Sequence, residues 1–155
     1  MSPSHSLDKD ARELQQALSE LVRVYQFRDR KRICFYDVSV TQCYGISVLN
    51  SGGSMTLGEL AASLYLDKST TSRVVDSLEE KGYVRRSVDP DDARALQLEV
   101  TARGRDLHSR IGEDLVEEMK KLVADLDPEV RRATARLIER FTKAAKERFS
   151  RGTKP

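Results

Sequence analysis

The sequence predicts a mainly helical α+β chain with one small antiparallel hairpin near its middle. Three observations carry this. Long stretches at both ends repeat apolar residues every three or four positions, the period of a helix with one buried face. Two short helical segments lie between them, each with its own start signal. Directly after them, two short runs flank an acidic, proline-containing turn, and the second alternates apolar and polar residues.

The first long helix is expected from Leu7, with Met1 to Ser6 as a loose tail. Leu7, Ala11, Leu14, Leu18, Leu21 and Tyr25 follow each other at spacings of four, three, four, three and four. That is a seam suited to pairing with another helix. Asp8 and Asp10 suit the positive end of the helix dipole. Arg28, Arg30, Lys31 and Arg32 suit the negative end and otherwise form a solvated basic face. Ile33 to Val38 is a short apolar connector.

Ser39-Val40-Thr41-Gln42 is a capping box. The serine hydroxyl can accept from the backbone N–H three residues on, while Gln42 reaches back. The helix it opens is apolar nearly all round, from Val40 to Leu49, and is expected to be buried on several sides. Asn50-Ser51-Gly52-Gly53 ends it.

Thr56-Leu57-Gly58-Glu59 is a second capping box, opening about two turns with Leu57, Leu60, Ala61 and Leu64 inward. Asp67 caps the next helix. Thr71, Val74, Val75 and Leu78 form its inward stripe, and Gly82 fits the stop position. Tyr83 to Val88 and Ala95 to Val100 read as the two strands, with Asp89-Pro90-Asp91-Asp92 as the turn. Thr101 caps a long helix with Leu107, Ile111, Leu115, Met119, Leu122 and Leu126 on one stripe. Asp127-Pro128-Glu129 opens the last helix with a cap, a proline at the first position and an acid in the first turn. That helix should bury Val130, Ala133, Leu137, Phe141, Ala144 and Phe149.

Two helices joined by a short turn and followed by a hairpin make a helix-turn-helix with a two-stranded β-wing, between long N- and C-terminal dimerisation helices. The 155 residues are expected to form one domain. Residues 7–50 and 101–149 are its helical dimerisation and support region, and 56–100 its DNA-binding region. The second short helix starts with small polar and basic residues, which suits the major groove of double-stranded DNA. Arg73 can fork onto a guanine edge. Ser69, Thr70 and Ser72 can donate to bases or phosphates, and Lys68 suits a phosphate. The wing carries Arg85, Arg86 and Arg94 toward the minor groove or the backbone. Paired copies would read a pseudo-palindromic operator. The rival reading is a dimeric winged-helix protein-interaction module without direct DNA readout.

Charge alone does not select between them. The chain carries a formal net charge of +2. Residues 67–94 hold six basic and seven acidic side chains. DNA binding must then rest on where a few charges sit.

The same residues resemble the MarR-type winged-helix regulators. The resemblance runs from Leu7 to Phe149. It is closest over L-G-E-L-A-A-S-L-Y-L-D-K-S-T-T-S-R-V-V-D-S-L-E-E-K-G-Y-V-R-R and D-P-D-D-A-R-A-L-Q-L-E-V-T-A-R-G. The family's wing carries an Asp-x-Arg unit, matched by Asp92-Ala93-Arg94. The resemblance implies that Asp92 orients Arg94 into the minor groove and that Ser69 to Arg73 lie in the major groove. It implies a homodimer joined by the first and last helices, a transcriptional regulator of the repressor kind, and release by a small aromatic ligand, oxidation or metal.

Tyr25, Tyr36, Tyr44 and His108 could line a pocket for such a ligand, or simply pack with their polar ends at the edge. Cys34 and Cys43 are too few for a disulfide framework. Either is a redox candidate, with Cys34 favoured by the basic residues before it, or an ordinary buried thiol. No Cys-x-x-Cys or paired-histidine spacing suggests a metal, and no cofactor motif stands out. Nucleophile elbows, phosphate loops and paired-acid motifs are missing too, so an enzyme is not expected. With no apolar run near the roughly 18 residues of a membrane span and no signal-like N-terminus, the expected location is cytoplasmic.

Overall fold

The computed structural model describes residues 3–28, 36–88 and 96–152, with side chains described within 6–24, 36–88 and 96–148. The elements are α1 (Pro3–Arg28), α2 (Val40–Gly52), β1 (Met55–Thr56), α3 (Leu57–Leu64), α4 (Lys68–Glu80), β2 (Val84–Val88), β3 (Leu96–Val100), α5 (Ala102–Leu122) and α6 (Pro128–Gly152). The helical tail is a correction: α1 begins at Pro3 instead of Leu7. Proline is well tolerated in a first helical turn, where its missing N–H has no partner to lose.

The start signals at Ser39, Thr56, Asp67 and Thr101 operate as local chemistry dictates. Ser39 accepts from the Gln42 N–H at 3.2 Å while Gln42 Oε1 accepts from the Ser39 N–H at 3.0 Å. Thr56 and Glu59 close the same reciprocal pair on α3. Asp67 Oδ1 accepts from the Thr70 N–H at 2.8 Å on α4. Thr101 Oγ1 accepts from the Gly104 N–H at 3.0 Å on α5. The stop of α4 is a Schellman motif: the Gly82 N–H donates to Glu79 O and the Tyr83 N–H to Leu78 O, both at 2.9 Å. Gly82 holds φ at 75° there.

The hairpin is joined by a third strand. The sheet order is β1-β3-β2, all antiparallel. Met55 and Arg86 both lie opposite Leu98, so β3 is the central strand. A two-residue strand has no alternation to read, and it forms here only because the chain leaving α2 passes beside β3.

The chain divides into two compact units, Met1–Ile111 and Gly112–Pro155. In the first, Val38, Ile46, Leu49, Leu60, Val75, Leu78, Val84, Leu98, Leu107 and Ile111 form the core. Helix α2 lies close to α4 at Gly45, where a Cβ would sit 3.5 Å from Leu78 Cδ1 and 3.8 Å from Val74 Cγ1. Burial of α2 is less complete than its composition suggests, since Tyr44 stays 59% exposed. The seam of α1 is uncovered: every side chain from Ser6 to Val24 is exposed.

The stripe of α5 splits. Leu107 and Ile111 enter the core of the first unit, whereas Leu115, Met119 and Leu122, in the second unit, are exposed. The stripe expected to be buried on α6 is corrected in the same way. Val130, Ala133, Phe141 and Ala144 are exposed and only Leu137 is half-buried. Among the described residues of a single copy, nothing covers these positions. The side chains of Tyr25 and Phe149 lie outside the described residues.

Candidate nucleic-acid interface

The site is built on the N-terminal end of α4. Its inward residues Thr71, Val75 and Leu78 are fully buried, which fixes the rotation of the helix about its axis. Lys68, Ser69 and Arg73 are consequently exposed, and Ser72 is half-buried beside them. Thr71 Oγ1 donates to Asp67 O at 2.9 Å and is spent on the helix itself.

The cap also engages Thr70. Its hydroxyl donates to Asp67 Oδ2 at 2.7 Å. Thr70 was expected to offer a donor outward, and here its proton is committed to the cap, leaving it an acceptor. The Thr70 backbone N–H, and then this hydroxyl, hold the Asp67 carboxyl below its ordinary pKa.

Two of the seven acids in residues 67–94, Asp76 and Glu79, share one arginine. Arg86 on β2 reaches back to α4, where its guanidinium pairs with Asp76 at 2.5 Å and with Glu79. Its backbone N–H also donates to Glu79 Oε1 at 3.2 Å. Burial alone would lower the Arg86 pKa, but the bonds and charges of Asp76 and Glu79 outweigh it and the net shift is upward. Arg86 therefore serves as a tie between wing and helix rather than as an outward-facing cation. Arg85 forks onto Glu99 at 2.9 and 2.6 Å but keeps its side chain 67% exposed. Lys81 donates to Gln42 Oε1 at 3.1 Å and to the backbone oxygen of Asp37. That leaves Lys68 and Arg73 exposed, with no intramolecular ion pair among the described residues. Asp92 and Arg94, the wing-tip pair, lie outside the described residues.

Behind the site runs a polar network that the sequence did not announce. Gln42 Nε2 donates to Ser77 Oγ at 2.9 Å, linking the cap of α2 to α4. The Tyr83 hydroxyl donates to Asp37 Oδ1 at 2.9 Å, and the Arg103 guanidinium lies 5.0 Å from the ring centre. Burial, reinforced by Asp37, pushes the Tyr83 phenol up from its usual value. The Gln42 capping box was a visible signal, but its free amide edge has no sequence signature.

Tyr36 is half-buried with Arg110 over its ring at 5.8 Å, Tyr44 is exposed and His108 is half-buried. A cavity of about 470 Å³ in this unit is lined by residues including Leu49, Ser54, Arg85, Glu99, Thr101 and Arg105. Cys43 is buried in the core and is in no disulfide among the described residues, and Cys34 lies outside them. No cluster of metal-ligating side chains occurs among the described residues. Nor does any described helix have the length and apolarity to cross a membrane.

Three helices, a recognition helix exposed at its N-terminal end and a three-stranded wing define a winged helix-turn-helix protein. A sequence profile of the MarR family matches residues 38–96. Over 140 residues the chain is 31% identical to the HTH-type transcriptional regulator ML2140 of Mycobacterium leprae, covering 86% of this chain and 95% of that one. A MarR family protein from Bacillus stearothermophilus has the same fold, with a TM-score of 0.77 at 21% identity over 90% of this chain and 97% of that one. FabT of Streptococcus pneumoniae, solved in complex with DNA, aligns with a TM-score of 0.69 at 19% identity, covering 90% and 97%. The chain belongs to the MarR family of winged helix-turn-helix DNA-binding transcriptional regulators, and it is not an enzyme.

Proposed function

We propose that this regulator is a homodimeric repressor that reads a pseudo-palindromic duplex through a few placed contacts. One observation carries the reading: Lys68 and Arg73 are exposed at one end of α4, while the acids Asp76 and Glu79 farther along are drawn to Arg86 on β2. Arg73 reads a base edge, Lys68 holds a phosphate, and Ser69 and Ser72 bond alongside them. Arg94, oriented by Asp92, and the exposed Arg85 serve the wing. Residues 7–50 and 101–149 support the DNA-binding region 56–100 within one domain. FabT, the relative solved on DNA, lends the reading support at the level of fold.

The exposed apolar residues of α1, the end of α5 and α6 support dimerisation through the outer helices. On α1, Leu7, Leu14, Leu18 and Leu21 are exposed at helical spacing, and on α6 Ile138 and Phe141 are exposed, which is more than scattered surface apolar residues on each helix. Release by a small aromatic ligand is supported by Tyr44. Its ring is exposed on α2, the helix bonded to α4 through Gln42 and Ser77. A ligand stacked there would act on the recognition helix through that bond. Oxidative release has weaker support, because Cys43 is buried among apolar side chains.

The test is selection of bound duplexes from random DNA, followed by titration at low and moderate salt with wild type and Arg73→Ala. Affinity should fall steeply with salt, with a slope of roughly −0.9 per neutralised phosphate. Arg73→Ala should weaken binding and relax one base position. Binding indifferent to salt and to Arg73 would overturn direct readout and favour a protein-interaction module. Sedimentation at micromolar concentration should show a dimer, and a monomer would remove that part of the reading.

A further inference from the structure

Helix α3 ends at Leu64, Tyr65 closes it in the left-handed region at φ 55° and ψ 38°, and α4 begins at Lys68. Asp67 caps that start, and one residue engages both of its carboxylate oxygens. Oδ1 accepts from the Thr70 N–H at 2.8 Å, and Oδ2 accepts from the Thr70 hydroxyl at 2.7 Å. The direction of the second bond is forced. The Asp67 carboxyl is held below its usual pKa, so it is ionised at neutral pH. An ionised carboxylate accepts and cannot donate. The single proton of the Thr70 hydroxyl therefore lies on the line to Asp67.

A hydroxyl whose proton is fixed in this way offers only lone pairs to any other partner. Among the described residues no group donates to Thr70 Oγ1. Thr70 is half-buried and lies three residues before the exposed Arg73, which makes the two neighbours on the helix surface.

We infer that Thr70 is a specificity-determining residue that accepts a hydrogen bond from the exocyclic amino group of cytosine or adenine in the major groove. This deepens the reading of α4 as the groove-entering helix and rests on it. Phosphate oxygens, guanine N7 and O6 and thymine O4 are acceptors, and they repel an oxygen that has no proton to give. The amino groups of cytosine and adenine are the donors that the major groove presents. A threonine with a rotating hydroxyl serves either kind of partner, and the cap removes that choice. Asp67 is then a positioning residue, which sets the base that Thr70 admits without touching DNA.

The experiment selects duplexes from random DNA with wild type, Thr70→Val, Asp67→Asn and Arg73→Ala, each shown to be folded by its thermal melt, and compares the sites base by base. Wild type should hold cytosine or adenine at the position that Thr70 reads. Thr70→Val keeps the shape and loses the oxygen. It should lose the preference at that position alone and bind the wild-type site about five- to tenfold more weakly. Asp67→Asn keeps a capping side chain. Its oxygen still accepts from the Thr70 N–H, so its amide NH2 faces the hydroxyl and donates to it. The Thr70 proton then turns outward, and the preferred base at the same position should change to guanine or thymine. If Thr70→Val and Asp67→Asn select the wild-type base at every position while Arg73→Ala loses one, the Thr70 contact is overturned and the reading of α4 stands. If Thr70→Val loses a position at which Asp67→Asn retains cytosine or adenine, the cap does not set the polarity, and the inference is overturned. If none of the three variants changes the selected site, the reading of α4 falls, and the inference with it.

Discussion

Gln42 and Ser77, 35 positions apart, share a 2.9 Å hydrogen bond that joins the cap of α2 to the recognition helix. The same Gln42 accepts from the Ser39 N–H and from Lys81 through Oε1. One side chain thus ends the frayed start of one helix and holds another in place.

Gln42→Ala should therefore cost more than a cap alone. Losing the capping box and the tether together predicts a destabilisation of about 1.5–3 kcal/mol. Urea unfolding followed by circular dichroism measures it. A double-mutant cycle with Ser77→Ala should show coupling of about 1 kcal/mol, because the two groups share a partly buried bond. Additive losses would mean that the bond contributes nothing.

This contact also marks the boundary of what the sequence could disclose. Caps at Ser39, Thr56, Asp67 and Thr101 were readable because each joins residues three apart, where type and spacing are enough. The stop at Gly82 was readable because glycine announces positive φ, and Tyr65 was not because tyrosine does not. β1 and the Arg86 tie depend on chain segments meeting in space. The α5 stripe looked uniform from Leu107 to Leu126, since a period records which face is apolar and not what covers it. For the site, the end of α4 was legible from its polar and basic residues. Which arginines were already occupied was not.

Arg86 should behave as a structural cation. Arg86→Ala releases Asp76 and Glu79 on α4 and removes the link from β2. The acids are 55% and 40% exposed, so solvent screening limits the coupling in an Arg86–Glu79 cycle to about 0.5–1 kcal/mol. The coupling should shrink with added salt. Equal coupling at low and high salt would point to packing of the arginine stem instead of charge.

Acid should loosen the caps of α3 and α4. Thr70, through its backbone N–H and then its hydroxyl, lowers the Asp67 pKa from 3.8, and Thr56 similarly lowers that of Glu59 from 4.5. A folded pKa below the unfolded one gives stabilisation that is complete above the unfolded value. It is lost as pH falls through the folded value. The melting temperature should be insensitive to these groups between about pH 7 and pH 5 and fall below about pH 4. Asp67→Asn keeps a capping oxygen that does not titrate. Its melting difference from wild type should be flat near neutrality and narrow or reverse in acid. A difference constant down to about pH 2.5 would show that Asp67 does not contribute through its charge.

Gly104 and Gly112 on α5 should respond oppositely to alanine. A Cβ at Gly104 would fall 2.2 Å from Tyr83 O and 2.8 Å from Val100 Cγ2. The first is backbone, held where Thr101 donates its N–H to Tyr83 O at 3.0 Å and its hydroxyl to Gly82 O at 2.7 Å. It cannot yield without moving β2 from the start of α5. Gly104→Ala should lose about 2–3 kcal/mol or fail to fold, the usual result of forcing atoms into a packed site. At Gly112 no atom of the described residues outside its own stretch of helix lies within 4 Å of the missing Cβ. Gly112→Ala should gain up to about 1 kcal/mol from helix propensity alone. Thermal melts of the two variants beside wild type decide it. A stable Gly104→Ala would mean that the contact between α5 and Tyr83 is looser than its geometry. A destabilised Gly112→Ala would reveal a surface packed against α5 that a single chain does not contain.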